Sequence, residues 1–111
     1  MKLKIPYGWR RDLPDHRDFL YSAIKPRLKL PEKVDLTKNC SAVEDQQNIG
    51  SCTAQALAGN IEFLDKKIDN AYIDVSRLFI YYNERVIIKT VDQDSGATLR
   101  DGIKALPCRR N

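Results

Sequence analysis

The chain has 111 residues, of which 42% are hydrophobic and 31% are charged, an ordinary balance for one globular domain. Its net charge of +4 comes from residues 1–38, where Lys and Arg outnumber Asp and Glu two to one. Basic and acidic residues alternate there without a dense basic stripe, which argues against a nucleic-acid partner.

Neither a membrane span nor a leader is expected. No apolar run approaches the roughly 18–20 residues that a span needs, and no apolar stretch follows the basic start as it would in a secretory signal peptide. We therefore expect a cytoplasmic protein. Cys40, Cys52, Cys108 and His16 lack the spacing of zinc ligands. The sequence thus predicts no metal site and no disulfide framework.

Residues 1–38 are expected to be extended or irregular and to lie on the rest of the protein. Prolines recur there too often for a long helix, at Pro6, Pro14, Pro26 and Pro31. A short helical turn is predicted over residues 17–23, after Asp15 or His16. Residues 39–49 are predicted to form a polar loop that leads into a helix.

The clearest helix is predicted over residues 51–68. Apolar residues recur there every three or four positions and should form the buried face: Ala54, Leu57, Ile61, Leu64 and Ile68. Glu62 falls among the polar positions outside this stripe. Gly59 weakens the middle of the helix by about 1 kcal/mol relative to alanine, so it is expected to serve a tight contact.

Two further helices are predicted. One follows Asp74 or Ser76 as its cap, and its expected apolar face consists of Leu78, Phe79, Tyr82 and Val86. A turn-rich loop over residues 92–96 precedes the other, which starts near Thr98 with Asp101 as a weak capping-box analogue. Its expected stripe consists of Leu99, Ile103 and Leu106.

The segment around Cys52 could carry chemistry. Cys52 falls in the first turn of the clearest helix, where free amide N–H groups and the helix dipole favour an anion such as a thiolate. Gly50 permits a sharp turn, and the side-chain amide of Gln46 can reach back over it. Together with the Cys52 backbone N–H, that amide would form the donor pair that acyl transfer needs. By helical position alone, a buried structural cysteine is the alternative.

The pattern Gln46-x-x-x-Gly50-Ser51-Cys52, followed by an Ala-rich helix, resembles the active-site segment of papain-like cysteine peptidases. Further resemblances follow in the family's order. Residues 30–36 resemble the start of the mature enzyme, residues 75–83 the next helix, and residues 95–103 the following loop and helix, while residues 7–18 resemble the N-terminal extension of bacterial and archaeal members.

The resemblance implies an α+β fold of two lobes. The chain would cover mainly the helical, nucleophile-bearing lobe, and the β-rich lobe would be missing. Within the chain, residues 1–29 would form a largely irregular extension and residues 30–111 a truncated peptidase domain. It also implies hydrolysis of a peptide or protein substrate through a thioester, without a cofactor. Cys52 matches the nucleophile, Gln46 the oxyanion-hole side chain, and Gly96 the glycine-bearing loop that lines the substrate cleft.

Several positions depart from the family pattern. The family's His and Asn are expected roughly 130–150 residues after the cysteine, but no His follows Cys52, so the chain alone is expected to lack useful turnover. His16 is expected to have a structural or solvated role. Ile49 replaces a cysteine that forms a disulfide in many members, and Gln47 replaces a glycine. Residues 107–111 resemble an abrupt stop.

Two other functions stay open. A non-catalytic interaction module would bind a protein partner at the exposed, apolar lobe-lobe face. Hydrolysis lost in Cys52→Ala would favour the peptidase, whereas binding unaffected by that change would favour the module. A redox thiol protein would form a disulfide from Cys52 to Cys40 or Cys108, although no C-x-x-C spacing favours it.

Overall fold

The computed structural model describes residues 7–25 and 27–106. Its helices are α1 (Tyr21–Ile24), α2 (Cys52–Asp69), α3 (Arg77–Ile88) and α4 (Leu99–Ala105), with a 3-10 turn at Thr37–Asn39. Within these residues no strand forms, and the extended pairing is an isolated parallel bridge between Trp9 and Ala97. None of the described helices is both long enough and apolar enough to cross a membrane.

The core is small, and α2 and α3 share it. Its fully packed members are Ala54, Ala58, Ile80 and Tyr81. The predicted apolar stripe of α2 is wrong beyond its first half, because Leu64 and Ile68 are exposed whereas Glu62 is buried. Glu62 tolerates burial because Arg77 of α3 pairs with its carboxylate. The ion pair with Arg77 on another helix, rather than the hydrophobic periodicity, therefore determines that this position of α2 is buried.

The predicted apolar face of α3 is also wrong. Its members, Leu78, Phe79, Tyr82 and Val86, are all exposed, and the buried residues are Ile80, Tyr81 and Glu84. Tyr81 and Glu84 turn inward because each finds a hydrogen-bonding partner there, Asp94 for the tyrosine and Thr53 for the glutamate. Buried polar groups need such partners.

A glycine allows α4 to close on the other two helices. A side chain at Gly102 would overlap the side chains of Leu57 and Glu84. The predicted stripe of α4 is only partly correct, since Leu99 and Ile103 are exposed and Leu106 packs against the core. By contrast, the tight contact predicted for Gly59 is wrong, because no described atom outside the adjacent residues and the backbone of its own helix lies within 4 Å of where its Cβ would be.

The predicted caps are confirmed. The Ser76 hydroxyl accepts the N–H of Phe79 at 3.3 Å, and the Thr98 hydroxyl accepts the N–H of Asp101 at 3.1 Å. The shorter Asp101 side chain accepts the Thr98 hydroxyl at 2.9 Å, instead of the cap backbone N–H that Glu would reach in a capping box.

Residues 7–18 lie on the helical part, as predicted, and are called the arm below. The N–H of Ala97 donates to the Gly8 carbonyl at 2.8 Å, and the N–H of Arg10 donates to the Ala97 carbonyl at 2.9 Å. Further along, the Asp12 carboxylate accepts the N–H of Arg100 at 3.1 Å. These contacts attach the arm to the loop before α4 and to the first turn of α4.

The helical turn predicted over residues 17–23 is displaced to α1. Asp15 accepts both the backbone N–H and the guanidinium of Arg17, which closes a local turn at residues 15–18. Such side-chain bonds compete with helix formation. The helix consequently begins later, after Leu20, which makes no side-chain cap bond.

Candidate active site

Cys52 is the first residue of α2 and is half-buried. The Ser51 carbonyl accepts the N–H of Gln55 at 3.0 Å, so the amides of residues 52–54 precede the first intrahelical bond. No acidic residue lies in the first turn of this 18-residue helix. Residue 52 therefore occupies the helix position at which a negative charge is best stabilised.

Gln46 folds back over the turn that leads to Cys52. Its Nε2 donates to the Ile49 carbonyl at 2.8 Å, and the N–H of Ser51 donates to the same carbonyl at 2.8 Å. A glutamine amide carries two protons, and the bond to Ile49 uses one of them. The side chain thus has a defined anchor within the loop that ends at α2.

Gln47 adopts the backbone conformation that favours glycine. Its φ is 54°, in the left-handed region, where a side chain costs roughly 1–2 kcal/mol. The Asp45 carboxylate accepts its N–H at 2.8 Å and holds the turn. Gln47, which replaces the glycine of the family pattern, is therefore a strained residue in an otherwise closed turn.

Replacing Gln47 by glycine is expected to stabilise the protein by about 0.5–1 kcal/mol. Relief of the strained φ outweighs the greater flexibility of glycine in the unfolded chain. Urea unfolding measures the change. Gln55→Gly, the same substitution inside α2, is the control and should destabilise by roughly 0.5 kcal/mol; a loss of stability in both variants would contradict the account.

The loop before Cys52 and the loop at Gly96 meet through two side chains. Both carboxylate oxygens of Asp94 lie 3.0 Å from the Gly50 nitrogen, and the Tyr81 hydroxyl donates to the same carboxylate. That hydroxyl accepts the N–H of Gly96 at 3.1 Å. Burial and the bond to Asp94 raise the pKa of Tyr81 to about 12, so the phenol keeps its proton.

Three glycines bring the arm against both loops. A Cβ on Gly8 would overlap the Gly50 carbonyl, and a Cβ on Gly96 would overlap the backbone of Gly8. Gly96 also has a φ of 68°, which L side chains adopt at a cost. The structure thus places Gly96 beside Gly8 and links it through Tyr81 and Asp94 to the loop before Cys52.

A buried carboxyl lies under the first turn of α2. The hydroxyl of Thr53, the residue after Cys52, donates to Glu84 Oε2 at 2.9 Å, and no described residue donates to Oε1. Burial raises the pKa of Glu84 to about 6; the Thr53 bond opposes this shift and the charge of Asp101 adds to it. The carboxyl therefore keeps its proton to a higher pH than a solvated glutamate does, and the protonated form predominates only below about pH 6.

Glu84 is expected to make the stability depend on pH. A pKa raised from 4.5 to about 6 on folding contributes about 2 kcal/mol below pH 4.5, and this contribution disappears as the pH rises past about 6. Urea unfolding of the wild type and Glu84→Gln between pH 4 and pH 8 tests this. The stability difference between them should fall with pH, and a constant difference would contradict it.

The other groups considered from the sequence are His16 and the remaining cysteines. His16 is exposed in the arm, and Cys40 and Cys52 are both free thiols, so no disulfide joins them. Residues 107–111, with Cys108, lie outside the described residues. Across residues 7–25 and 27–106, no group of three His, Cys, Asp or Glu side chains is arranged to hold a metal ion.

Asp94, Tyr81 and Glu84 were not among the site residues predicted from the sequence. Asp94 lies in the predicted turn-rich loop, where aspartate commonly accepts backbone N–H groups. Tyr81 and Glu84 are three positions apart, so they share one face of a helix. These local signals were present in the sequence. They did not identify the site, because the partners of the three residues lie far away along the chain.

No family model matches the chain. An uncharacterized peptidase C1-like protein of Acanthamoeba polyphaga mimivirus is 37% identical over an alignment 119 positions long, which covers 90% of this chain and 38% of the relative. The crystal structure of xylellain, a cysteine protease from Xylella fastidiosa, matches with a TM-score of 0.72 and 49% identity, over 91% of this chain and 38% of that one.

The chain therefore spans about 38% of the length of each relative. The described residues are dominated by helices, in agreement with the lobe predicted from the sequence. By sequence and fold, the chain is similar to the papain-like, C1-type cysteine peptidases, and its described residues correspond to their helical lobe.

Proposed function

We propose that the chain contributes the nucleophile side of a cysteine-peptidase site that cleaves peptide bonds in peptides or proteins. Cys52 is the nucleophile, and Gln46 and the Cys52 N–H bind the oxyanion. The observation that carries the proposal is the position of Cys52, which begins an 18-residue helix directly after the turn anchored by Gln46. The names of both relatives, a cysteine protease and a peptidase C1-like protein, support it.

The proposed reaction begins when the Cys52 thiolate attacks the carbonyl carbon of the scissile bond. Negative charge moves to the carbonyl oxygen, which accepts hydrogen bonds from the Cys52 N–H and from Gln46 Nε2. The leaving amine must take up a proton as the tetrahedral intermediate collapses to a thioester, and water then hydrolyses the thioester. Gly96 lies beside the cleft in this proposal.

No described residue is assigned the role of proton donor in this proposal. The sequence has one histidine, His16, which is exposed on the arm. We propose that an imidazole and its orienting partner come from elsewhere, either from a β-rich lobe or from a second protein. The 111-residue polypeptide alone should then show no useful peptidase turnover.

An activated ester tests the nucleophile without the proton donor. p-Nitrophenolate leaves without being protonated, so a p-nitrophenyl ester of an acylated amino acid should acylate Cys52 in the chain as it stands. Intact mass spectrometry should show one slowly hydrolysed adduct, which peptide mapping assigns to Cys52. Cys52→Ser should lose the adduct.

Variants of two glutamines test the oxyanion role. Gln46→Ala should slow the acylation by about a hundredfold, the effect of removing one oxyanion donor. Gln55→Ala, a matched change in the first turn of α2, should leave the rate unchanged. Adducts spread evenly over the three cysteines, or equal rates in both variants, would contradict the proposal.

A second candidate is a non-catalytic interaction module. The apolar face of α3 favours it, since Leu78 is 60% exposed and Phe79 is 64% exposed, and large exposed apolar patches commonly mark partner sites. A partner bound equally by wild type and Cys52→Ala, and lost in Phe79→Asp, would support the module. Acylation that depends on Cys52 supports the peptidase.

A further inference from the structure

A continuous chain of hydrogen bonds crosses from the loop before Cys52 to the loop at Gly96. It runs from the Gly50 N–H to the Asp94 carboxylate, through the Tyr81 hydroxyl, to the Gly96 N–H. Both ends are backbone groups, and both central members are side chains. The relative position of the two loops therefore depends on two side chains that the proposed chemistry does not use.

The central tyrosine is held on several sides. Tyr81 is 1% exposed, and the guanidinium carbon of Arg85 lies 4.3 Å from the centre of its ring. Arg85 Nη1 donates to the carbonyls of Val91 at 3.2 Å and Gln93 at 3.3 Å. These bonds hold the loop immediately before Asp94 in place, which restricts the movement of the Asp94 carboxylate relative to the Tyr81 hydroxyl.

We propose that Asp94 and Tyr81 are positioning residues that set the backbone at Gly50, two residues before Cys52, against the backbone at Gly96. The inference rests on the proposed role of Cys52 as a nucleophile. Neither side chain is assigned a contact with substrate. Each acts through the backbone group that it binds, which keeps the first turn of α2 in place before a substrate arrives.

Alkylation of each cysteine in the same sample provides the test. The full chain is treated with iodoacetamide, and peptide mapping gives separate rates for Cys52 and the exposed Cys40. Their ratio cancels reagent and pH effects common to both thiols. The variants are Tyr81→Phe, which removes only the hydroxyl, and Asp94→Ala, which removes the carboxylate. Tyr82→Phe, a change at a half-exposed neighbour on α3, is the matched control.

Asp94→Asn is the rescue variant. The Gly50 N–H and the Tyr81 hydroxyl both reach the same oxygen, Asp94 Oδ1, so an amide oxygen can accept both bonds without the charge. The amide NH2 then takes the place of Oδ2, which also lies 3.0 Å from the Gly50 nitrogen, so the rescue is partial. Positioning predicts that Tyr81→Phe and Asp94→Ala lower the Cys52-to-Cys40 ratio by about fivefold, the factor that corresponds to ~1 kcal/mol for one hydrogen bond. Tyr82→Phe should keep the ratio, and Asp94→Asn should lower it less than Asp94→Ala does.

The other outcomes overturn the inference. Equal effects of Asp94→Ala and Asp94→Asn, with none in Tyr81→Phe, would show that Asp94 acts by its charge. Lower melting temperatures with an unchanged ratio would show a structural role alone. If circular dichroism shows that Asp94→Ala does not fold, the comparison of the Cys52-to-Cys40 ratio between Tyr81→Phe and Tyr82→Phe decides whether the inference holds. A wild-type ratio near one would overturn the nucleophile assignment as well, whereas a high ratio in every variant would leave that assignment standing.

Discussion

Replacing Glu62 by alanine is expected to lower the free energy of unfolding by about 3–5 kcal/mol, the cost of breaking a buried ion pair from one side. Glu62 is 1% exposed and accepts the N–H of Val75 at 3.0 Å. Its carboxylate also pairs with Arg77 at 2.9 Å, so the substitution leaves a largely buried guanidinium without its main partner. Urea unfolding at pH 7 measures the loss.

Two further measurements separate the ion pair from simple loss of packing. Burial alone would raise the pKa of Glu62, but hydrogen bonds, including those from Val75 and Arg77, hold it below its usual value. The stabilisation should therefore be lost as the pH falls through that lowered pKa. The double change Glu62→Met with Arg77→Met should recover part of the loss, because no buried charge stays unpaired. A cost below about 1 kcal/mol for Glu62→Ala would contradict the account.

Gly96→Ala is expected to cost about 2 kcal/mol or more and to detach the arm. The added methyl group would strain a residue at a φ of 68° and overlap the backbone of Gly8. Trp9 follows Gly8 and is the one tryptophan in the sequence, so its fluorescence reports directly on the arm. Trp9 is already 55% exposed, so its emission should shift only slightly to longer wavelength, and its fluorescence anisotropy should fall as the arm detaches.

Gly59→Ala is the matched control. Gly59 lies in the middle of α2 with open space where its Cβ would be, so alanine should stabilise the helix by about 1 kcal/mol and leave the Trp9 emission and anisotropy unchanged. Destabilisation by this control, or a Gly96→Ala protein with wild-type stability and anisotropy, would contradict the packing described for the glycines.

Local signals in the sequence predicted the helices well. The three main helices form where they were expected, and Ser76 and Thr98 cap two of them, because caps depend only on residues within one turn. The position of Cys52 at the start of α2 and the fold of Gln46 back over its turn are also local features. The catalytic roles of both residues, and the division at residues 29 and 30, stay predictions.

The buried faces could not be predicted in the same way. Hydrophobic periodicity assigns polar residues to solvent, yet Glu62 and Glu84 are buried because Arg77 and Thr53 lie on facing helices. Those partners are 15 and 31 positions away. The link from Gly50 to Asp94 spans 44 positions. Such pairings exist only once the helices have packed.

The rates at which iodoacetamide alkylates the three cysteines of the wild-type chain test the central claim most directly. If Cys52 is a nucleophile activated by the first turn of α2, it should react at least about tenfold faster than Cys40 and Cys108 at pH 7. Equal rates at the three sites would contradict the claim and leave Cys52 as an ordinary half-buried thiol.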